Sequence, residues 1–362
     1  MAKNNKSQKG KRVVLSILCV LLALVLAVML VGTVLADTIL GNMNYEEKGQ
    51  SEQLSQEEAL ALKEQMIAEE SSKATEESTE EFTGPVLSED EVDLDVEITM
   101  PIGDDKTITN VLLIGQDTRT GARERSDTML LVTINSEKNT ITITSFMRDM
   151  YVKIPGYYKE KINAAYMLGG MDLLNETLYQ NFGVVVDYNV EVSFAQFTDI
   201  IDYLGGLDLE LDAKEADFVN RAMGAGARQM VAGMNHMNGM RVLAYARYRD
   251  KTAGDFARTE RQRKTISAVI EKYKNSDLTT MIGMVNELMG MITTNMTKAE
   301  ILNCAVKYFP MLASAEITSQ RVPFDGKHTD GKDYYYMAMI DGISVVVPRL
   351  EQNVEKLAET LS

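Results

Sequence analysis

Residues Val13 to Leu35 form a run of 23 residues without a charged side chain, broken only by Ser16, Cys19, Gly32 and Thr33 among apolar neighbours. As a helix rising about 1.5 Å per residue, the run reaches roughly 34 Å, enough to cross the hydrocarbon core of a bilayer. Lys3, Lys6, Lys9, Lys11 and Arg12 precede it, and no lysine or arginine comes after it until Lys48. A basic flank stays on the cytoplasmic side, which places everything after the run outside. The competing reading is a cleaved signal peptide, with an Ala36-Asp37 step, but signal h-regions span only about 7–15 residues. The expectation is a single-pass protein of the cell membrane, with a cytoplasmic tail at 1–12 and an uncleaved transmembrane helix at 13–35.

Charge divides the rest of the chain. Residues 36–104 hold 20 acidic and 3 basic side chains, a net of −17, while residues 1–12 carry +5. The whole chain is −16, which leaves only −4 for residues 105–362. The acidity therefore belongs to a linker and says little about what the folded part binds. The Ser/Thr/Glu-rich run from Glu69 to Glu81 cannot build a core. Residues 36–104 read as an extended, largely disordered acidic stalk outside the cell, with a short helix packed on the domain as the other reading. The last 258 residues suffice for one large domain. Cys19 sits in the apolar run and Cys304 in the domain, so no intrachain disulfide is expected. Neither His236 nor His328 has a neighbour at metal-ligand spacing, which excludes a Cys/His zinc site and weakens histidine catalysis.

Within 105–362 the pattern mixes strands and helices. Thr107 to Ile114 reads as a strand ending at Gly115. Thr128–Asn135 and Thr140–Phe146 read as a hairpin around Ser136-Glu137-Lys138-Asn139. Ile162–Phe182 suits a helix interrupted or ended near Gly169-Gly170. Tyr188–Ser193 and Leu207–Leu211 are strands around a helix at Phe194–Leu204. Helices are predicted at 239–248, 256–273, 279–291, 298–312 and 348–360, with late strands at 316–322 and 343–347. The class is α/β, a mixed sheet covered by helices.

Two clusters can carry chemistry. Asp117 lies just after the first strand and Asp127 just before the second, and strand ends are where such sheets place ligands. Two carboxylates there suit one magnesium ion, which fills its other positions with water or phosphate oxygens. The second cluster is arginine: Arg148 after the third strand, then Arg241, Arg247, Arg249, Arg258, Arg261 and Arg263 within 23 residues. Arg258 and Gln262 share a helix face. Guanidinium forks match phosphate oxygens, so the cluster reads as a site for an oligoanion, against the alternative of a solvated, salt-bridged helix face. Arg263, five residues past Arg258, is expected to be an ordinary surface residue. The methionines 147, 150, 167 and 171 read as core filler near the site. Nothing signals a covalent nucleophile or a P-loop, and an extracytoplasmic domain without a basic surplus is not expected to bind nucleic acid.

The ordered blocks NVLLIGQDTR, RSDTMLLVTIN, SFMRDMYV, KINAAYMLGG, DYLGGLDLEL, NGMRVLAYARYR and DFARTERQ, from Asn110 to Gln262, resemble the LytR-CpsA-Psr family of bacterial cell-wall enzymes. The resemblance implies an α/β/α sandwich with a deep apolar pocket for a polyprenyl chain. It implies transfer of an anionic glycopolymer, a teichoic acid or a capsular polysaccharide, from an undecaprenyl pyrophosphate carrier to peptidoglycan. It places magnesium at Asp117 and Asp127. It places pyrophosphate-binding groups at Arg125, Arg148, Arg247, Arg249, Arg258 and Gln262, with Asp127, Arg125 and Arg148 as the catalytic set. Met147 stands where proline is usual before the Arg-Asp pair, and Ser193 where the family often has an acidic residue. Two other readings stay open: a hydrolase acting on the same lipid pyrophosphate, and a non-enzymatic receptor for a polyprenyl lipid or wall polymer.

Overall fold

The computed structural model describes residues 44–77, 82, 84–116, 123–224, 226–227, 229–249, 254–273, 289–297, 299–301, 303–304, 307–308 and 314–361. The N-terminal part forms β1 (Asn44–Tyr45), α1 (Gln56–Glu77) and β2 (Val86–Leu87). Then come β3 (Ile108–Gln116), β4 (Ser126–Asn135), β5 (Thr140–Phe146), β6 (Tyr151–Lys153), β7 (Lys159–Lys161) and α2 (Asn163–Phe182). The middle of the chain forms β8 (Tyr188–Ser193), α3 (Phe194–Tyr203), β9 (Leu207–Leu211), α4 (Ala213–Met223), β10 (Gly233–Met237), α5 (Gly239–Arg247) and α6 (Gly254–Tyr273). The chain closes with β11 (Thr293–Thr294), β12 (Glu316–Val322), β13 (Tyr335–Ile340), β14 (Ile343–Pro348) and α7 (Leu350–Leu361).

Seven strands form a mixed central sheet in the order β1-β11-β8-β3-β4-β5-β12. Its middle is the antiparallel meander β3-β4-β5, in which the predicted hairpin is found, with Asn139 at φ 53° closing the turn. Asparagine tolerates that left-handed conformation. β8 lies parallel to β3, and β12 parallel to β5. Side chains of β3 alternate between two cores, as a strand covered on both faces must. Leu112 and Ile114 join Phe182 of α2, Val322 of β12 and Leu357 of α7. Val111 and Leu113 pack on the core formed by Ile201 of α3, Val242 of α5 and Val269 of α6. Helices thus cover both sides of the sheet, and between the sheet and the helices of the second side a space is left open.

α2 is interrupted where Gly169 and Gly170 leave helical geometry, with Gly170 at φ 64°. The glycine is needed there, because a Cβ at Gly170 would stand 2.8 Å from Ser51 Cβ and 3.2 Å from Arg123 Cζ. Ser51 belongs to the segment predicted as stalk, and here the prediction is corrected. Among the described residues, the segments 44–67 and 84–104 make contacts with the domain. β1 extends the sheet edge beside β11, and β2 pairs with β13. Ala59, Val92, Leu94 and Ile102 are each at most 2% exposed within the main core. Tyr158 Oη donates to the Ala59 carbonyl at 2.9 Å, and Lys159 Nζ to the carbonyls of Glu89 and Val92. A few apolar side chains suffice to order a polar segment when the surface they dock on is already folded. The stretch composition, dominated by glutamate, hid them.

No helix among the described residues is long and apolar enough to cross a membrane. The predicted tail 1–12, the predicted span 13–35 and the start of the stalk at 36–43 lie outside them, as does most of the predicted helices 279–291 and 298–312. The sequence reading omitted α4, β10, β13 and the β6–β7 hairpin.

Candidate functional site

A cavity of about 320 Å³ lies between β3, β4 and β8 on one side and α3, α5 and α6 on the other. Its depth is apolar, lined by Leu113, Leu130, Val190, Ile200, Leu204 and Val269. Its mouth is polar, with Asp127, Thr128, Arg247, Arg249, Arg258 and Gln262. The helix period creates this gradient. Along α6 the residues at 258, 262, 265, 266 and 269 share one face and all line the cavity, so one stripe runs from arginine through glutamine and threonine to isoleucine and valine. α3 and its C-cap contribute Phe194, Phe197, Ile200, Ile201 and Leu204 at the same kind of spacing. A capping box fixes where α3 begins: Gln196 N donates to Ser193 Oγ, and Ser193 N to Gln196 Oε1.

At the mouth the start of β4, the end of β5, the residues after α5, and α6 bring opposite charges together. Arg148, just past β5, donates from Nη1 to Asp127 Oδ1, and its Nε lies 3.6 Å from both Asp149 Oδ2 and Asp255 Oδ1. Arg258 Nη2 donates to Asp255 Oδ2 at 2.9 Å, and Arg249 Nε is 3.9 Å from the Oδ1 of the same carboxylate. Gln262 Nε2 donates to Thr128 Oγ1 at 2.9 Å, and the Arg247 guanidinium lies 4.6 Å over the Phe194 ring. Burial shapes the charges. It pushes the Asp255 carboxyl above its ordinary range although Arg258 and Arg148 pull it down. It holds Arg258 below its usual value, against Asp255. For Arg148 burial acts in the same direction, but Asp149, Asp127 and Asp255 outweigh it, so this guanidinium keeps its proton more tightly than usual.

The Nε atoms of Arg148 and Arg258 are buried and make no hydrogen bond among the described residues, and Asp255 Oδ1 accepts none. A buried donor without an acceptor costs about 1–3 kcal/mol. An anion with several oxygens at this mouth would satisfy those donors, while the apolar depth suits a hydrocarbon. The arrangement is thus built for an amphiphile with an anionic head.

The structure gathers most of the predicted site. Asp127, Arg247, Arg249, Arg258 and Gln262 line the cavity, and Arg148 is bound to Asp127. Arg125 does not line it and instead lies 3.8 Å from Glu160 of β7. Asp117 lies outside the described residues, and among those described no three carboxylate, histidine or cysteine groups converge as a metal site. Met147, Met150 and Met171 are core residues. His236 pairs with Asp208 and His328 with Glu355, neither at the cavity. Sequence reasoning missed Asp255, the carboxylate shared by three arginines. Its spacing of three from Arg258 on a helix was the available signal.

The comparisons with known proteins agree with this geometry. A sequence model of the LytR_cpsA_psr family matches residues 60–346. A polyisoprenyl-teichoic acid–peptidoglycan teichoic acid transferase TagU of Bacillus cereus is 33% identical over 232 residues, covering 63% of this chain and 73% of that protein. The regulatory protein MsrR of Staphylococcus aureus is 29% identical over 231 residues, covering 64% and 68%. Among solved structures, TagT bound to LIIa-WTA superposes with a TM-score of 0.56 at 28% identity, over 71% of this chain and 90% of that one. The LytR-CPS2A-psr family protein YwtF (TagT) with bound octaprenyl pyrophosphate lipid superposes with a TM-score of 0.53 at 26% identity, over 71% and 89%. A match that spans most of the chain, joined to a shared mixed α/β fold, assigns it: this chain belongs to the LytR_cpsA_psr family.

Proposed function

We propose that this chain is a phosphotransferase that moves an anionic glycopolymer from an undecaprenyl pyrophosphate carrier to peptidoglycan, releasing undecaprenyl phosphate. One observation carries the reading: an apolar cavity whose mouth holds Arg247, Arg249 and Arg258, with the buried Nε groups of Arg148 and Arg258 making no hydrogen bond among the described residues. The names of its relatives support the same chemistry, a teichoic acid transferase and a protein holding a polyprenyl pyrophosphate lipid.

The polyprenyl chain lies along α3 and the apolar part of α6, which sets its pyrophosphate at the mouth. There an acceptor hydroxyl attacks the phosphorus that bears the sugar. A new P–O bond forms as the bond to the bridging oxygen breaks, and that electron pair leaves with polyprenyl phosphate. Arg148, Arg249 and Arg258 are in place to stabilise the charge that grows on the departing phosphate, without a covalent intermediate. The hydroxyl proton passes to a carboxylate near the mouth: Asp127 and Asp149 are both candidates, and Asp127 is the poorer base whenever it holds magnesium. Asp255, which holds the arginines together, yields them to phosphate oxygens as the donor enters. Asp127, with Asp117, suits magnesium as a hard donor set, and the ion when bound would neutralise phosphate charge. Residues 13–35 anchor the chain in the cell membrane, so the site lies outside the cytoplasm beside its lipid donor and its acceptor.

A defined lipid-linked oligosaccharide, incubated with peptidoglycan, tests the reaction. The expected product is glycan joined to peptidoglycan through a phosphodiester, lost on addition of chelator. Free glycan phosphate as the sole product would make the enzyme a hydrolase. Turnover at the full rate in chelator would remove magnesium from the account.

A further inference from the structure

α3 and α5, two of the helices that wall the cavity, run in opposite senses and meet at two places. Away from the mouth they touch through backbone. A Cβ at Gly239, the first residue of α5, would stand 2.2 Å from the Thr198 carbonyl oxygen, and Gly239 N donates to Asp202 Oδ1 at 2.7 Å. About 12 Å further along the helix, α5 ends at Arg247. There the Arg247 guanidinium lies 4.6 Å over the ring of Phe194, the first residue of α3. Both side chains line the cavity. The Ser193 capping box fixes Phe194 at the head of its helix, and the register of β8 sets Ser193 opposite Gln116 of β3. Phe194 is thus anchored through the sheet, whereas Arg247 is exposed and ends a helix.

Arg148, Arg249 and Arg258 converge on Asp255. Arg247 comes to the mouth on the cavity wall itself, where the apolar lining gives way to charge. An aromatic face attracts a cation through its ring quadrupole. Stacking uses the plane of the guanidinium and leaves its in-plane N–H groups to other acceptors. An exposed arginine samples many rotamers, and one laid on a ring is pre-organised for the bonds it will make.

We propose that Phe194 is a positioning residue: it pre-places the Arg247 guanidinium at the junction of hydrocarbon and phosphate, so that Arg247 grips the pyrophosphate of the donor as it arrives. Phe194 bonds to no phosphate and takes no part in the proton transfer. The inference rests on the reading of the mouth as a pyrophosphate site.

The test uses the full chain in detergent. Calorimetry measures the binding of a short-chain polyprenyl pyrophosphate and of the polyprenol of the same length. Phe194→Leu keeps the apolar bulk and removes the aromatic face. It is expected to weaken binding of the pyrophosphate lipid by about three- to tenfold and to leave the polyprenol within about twofold. Phe194→Tyr, which keeps the face, should bind like wild type. In an Arg247→Ala background Phe194→Leu should have no further effect, because residues that act as one unit do not add. In transfer assays the loss should fall on the donor KM, with kcat within about twofold, as for a grip equal in the ground and transition states. If Phe194→Leu does not fold, fluorinated phenylalanine at position 194 decides the matter. It keeps the shape of the ring and weakens its negative face, so affinity for the pyrophosphate lipid should fall with each added fluorine. Wild-type affinity in folded Phe194→Leu, an equal loss for the polyprenol, or an undiminished loss in the Arg247→Ala background overturns the positioning role and leaves the pyrophosphate reading standing. A wild-type chain that binds both lipids alike overturns the pyrophosphate reading and this role with it.

Discussion

Arg258 and Arg261 stand three residues apart on α6 and are buried to almost the same degree, at 4% and 7% exposure. Their surroundings differ. Arg261 donates from Nε to Glu215 Oε1 at 2.7 Å and from Nη1 to the Tyr248 carbonyl at 3.0 Å, and it lies 4.5 Å over the Tyr248 ring. Its needs are met by the protein. Arg258 has one hydrogen-bonded partner, Asp255, and a buried Nε without an acceptor, and it faces the cavity. Two residues from one arginine-rich run thus divide into a strut and a binding group. The lesson is that burial of a cation does not mark a site; unfinished hydrogen bonding beside a cavity does.

Three variants break or sharpen this division. The largest effect is expected at Arg261→Ala, which leaves the Glu215 carboxylate buried and unpaired. That should cost about 3–5 kcal/mol of stability in denaturant unfolding. Pairing Arg261→Met with Glu215→Leu should recover most of the loss, since the charge is then no longer stranded. If Arg261→Ala unfolds like wild type but loses transfer, the strut is a binding group and the division fails. Next comes Arg258→Ala, expected to lose less stability than Arg261→Ala, because Asp255 keeps Arg148 and Arg249 beside it, and to lose transfer by about 10- to 150-fold, the worth of one charge-assisted bond. Lysine there should rescue poorly, because it keeps the charge and loses the fork. Equal loss of stability and transfer would erase the distinction. The smallest effect is expected at Arg263→Ala. This residue is half-buried, burial holds its guanidinium below the usual value, and its Nη1 donates to Ser145 Oγ at 3.3 Å. Losing that bond should cost about 0.5–1.5 kcal/mol, with transfer unchanged.

Arg263 also shows where sequence reading stops. Counting helix angles from Arg258 rightly placed it off the cavity stripe, but an angle does not say what packs against the other face, and Ser145 of β5 covers it. Apolar, β-rich runs bounded by polar turns made β3, β4, β5 and β8 legible to within about two residues, because strands covered on both sides are apolar nearly along their whole length. The mouth was legible because charge of one sign had to be gathered for a reason. The cavity itself was not. Phe197, Ile200 and Leu204 repeat as any core-facing helix stripe does, and a space left open in a core writes no pattern of its own; only the resemblance implied it. Asp255 was passed over because an acidic residue among arginines reads as an ordinary helical ion pair. α4 was missed although Asp212 and Glu215 spell its capping box, each accepting from the backbone N–H of the other.

The docking of residues 44–67 and 84–104 has a consequence for reach. With residues 13–35 in the bilayer, as proposed, a free stalk of 69 residues would let the domain wander up to about 230 Å from its lipid. Because β1 is already stitched to the sheet edge at Asn44, only eight residues of sequence, 36–43, separate the proposed span from the folded domain. Eight residues span at most about 29 Å. On the function proposed above, the chain would therefore reach only acceptors that lie within that distance of the membrane.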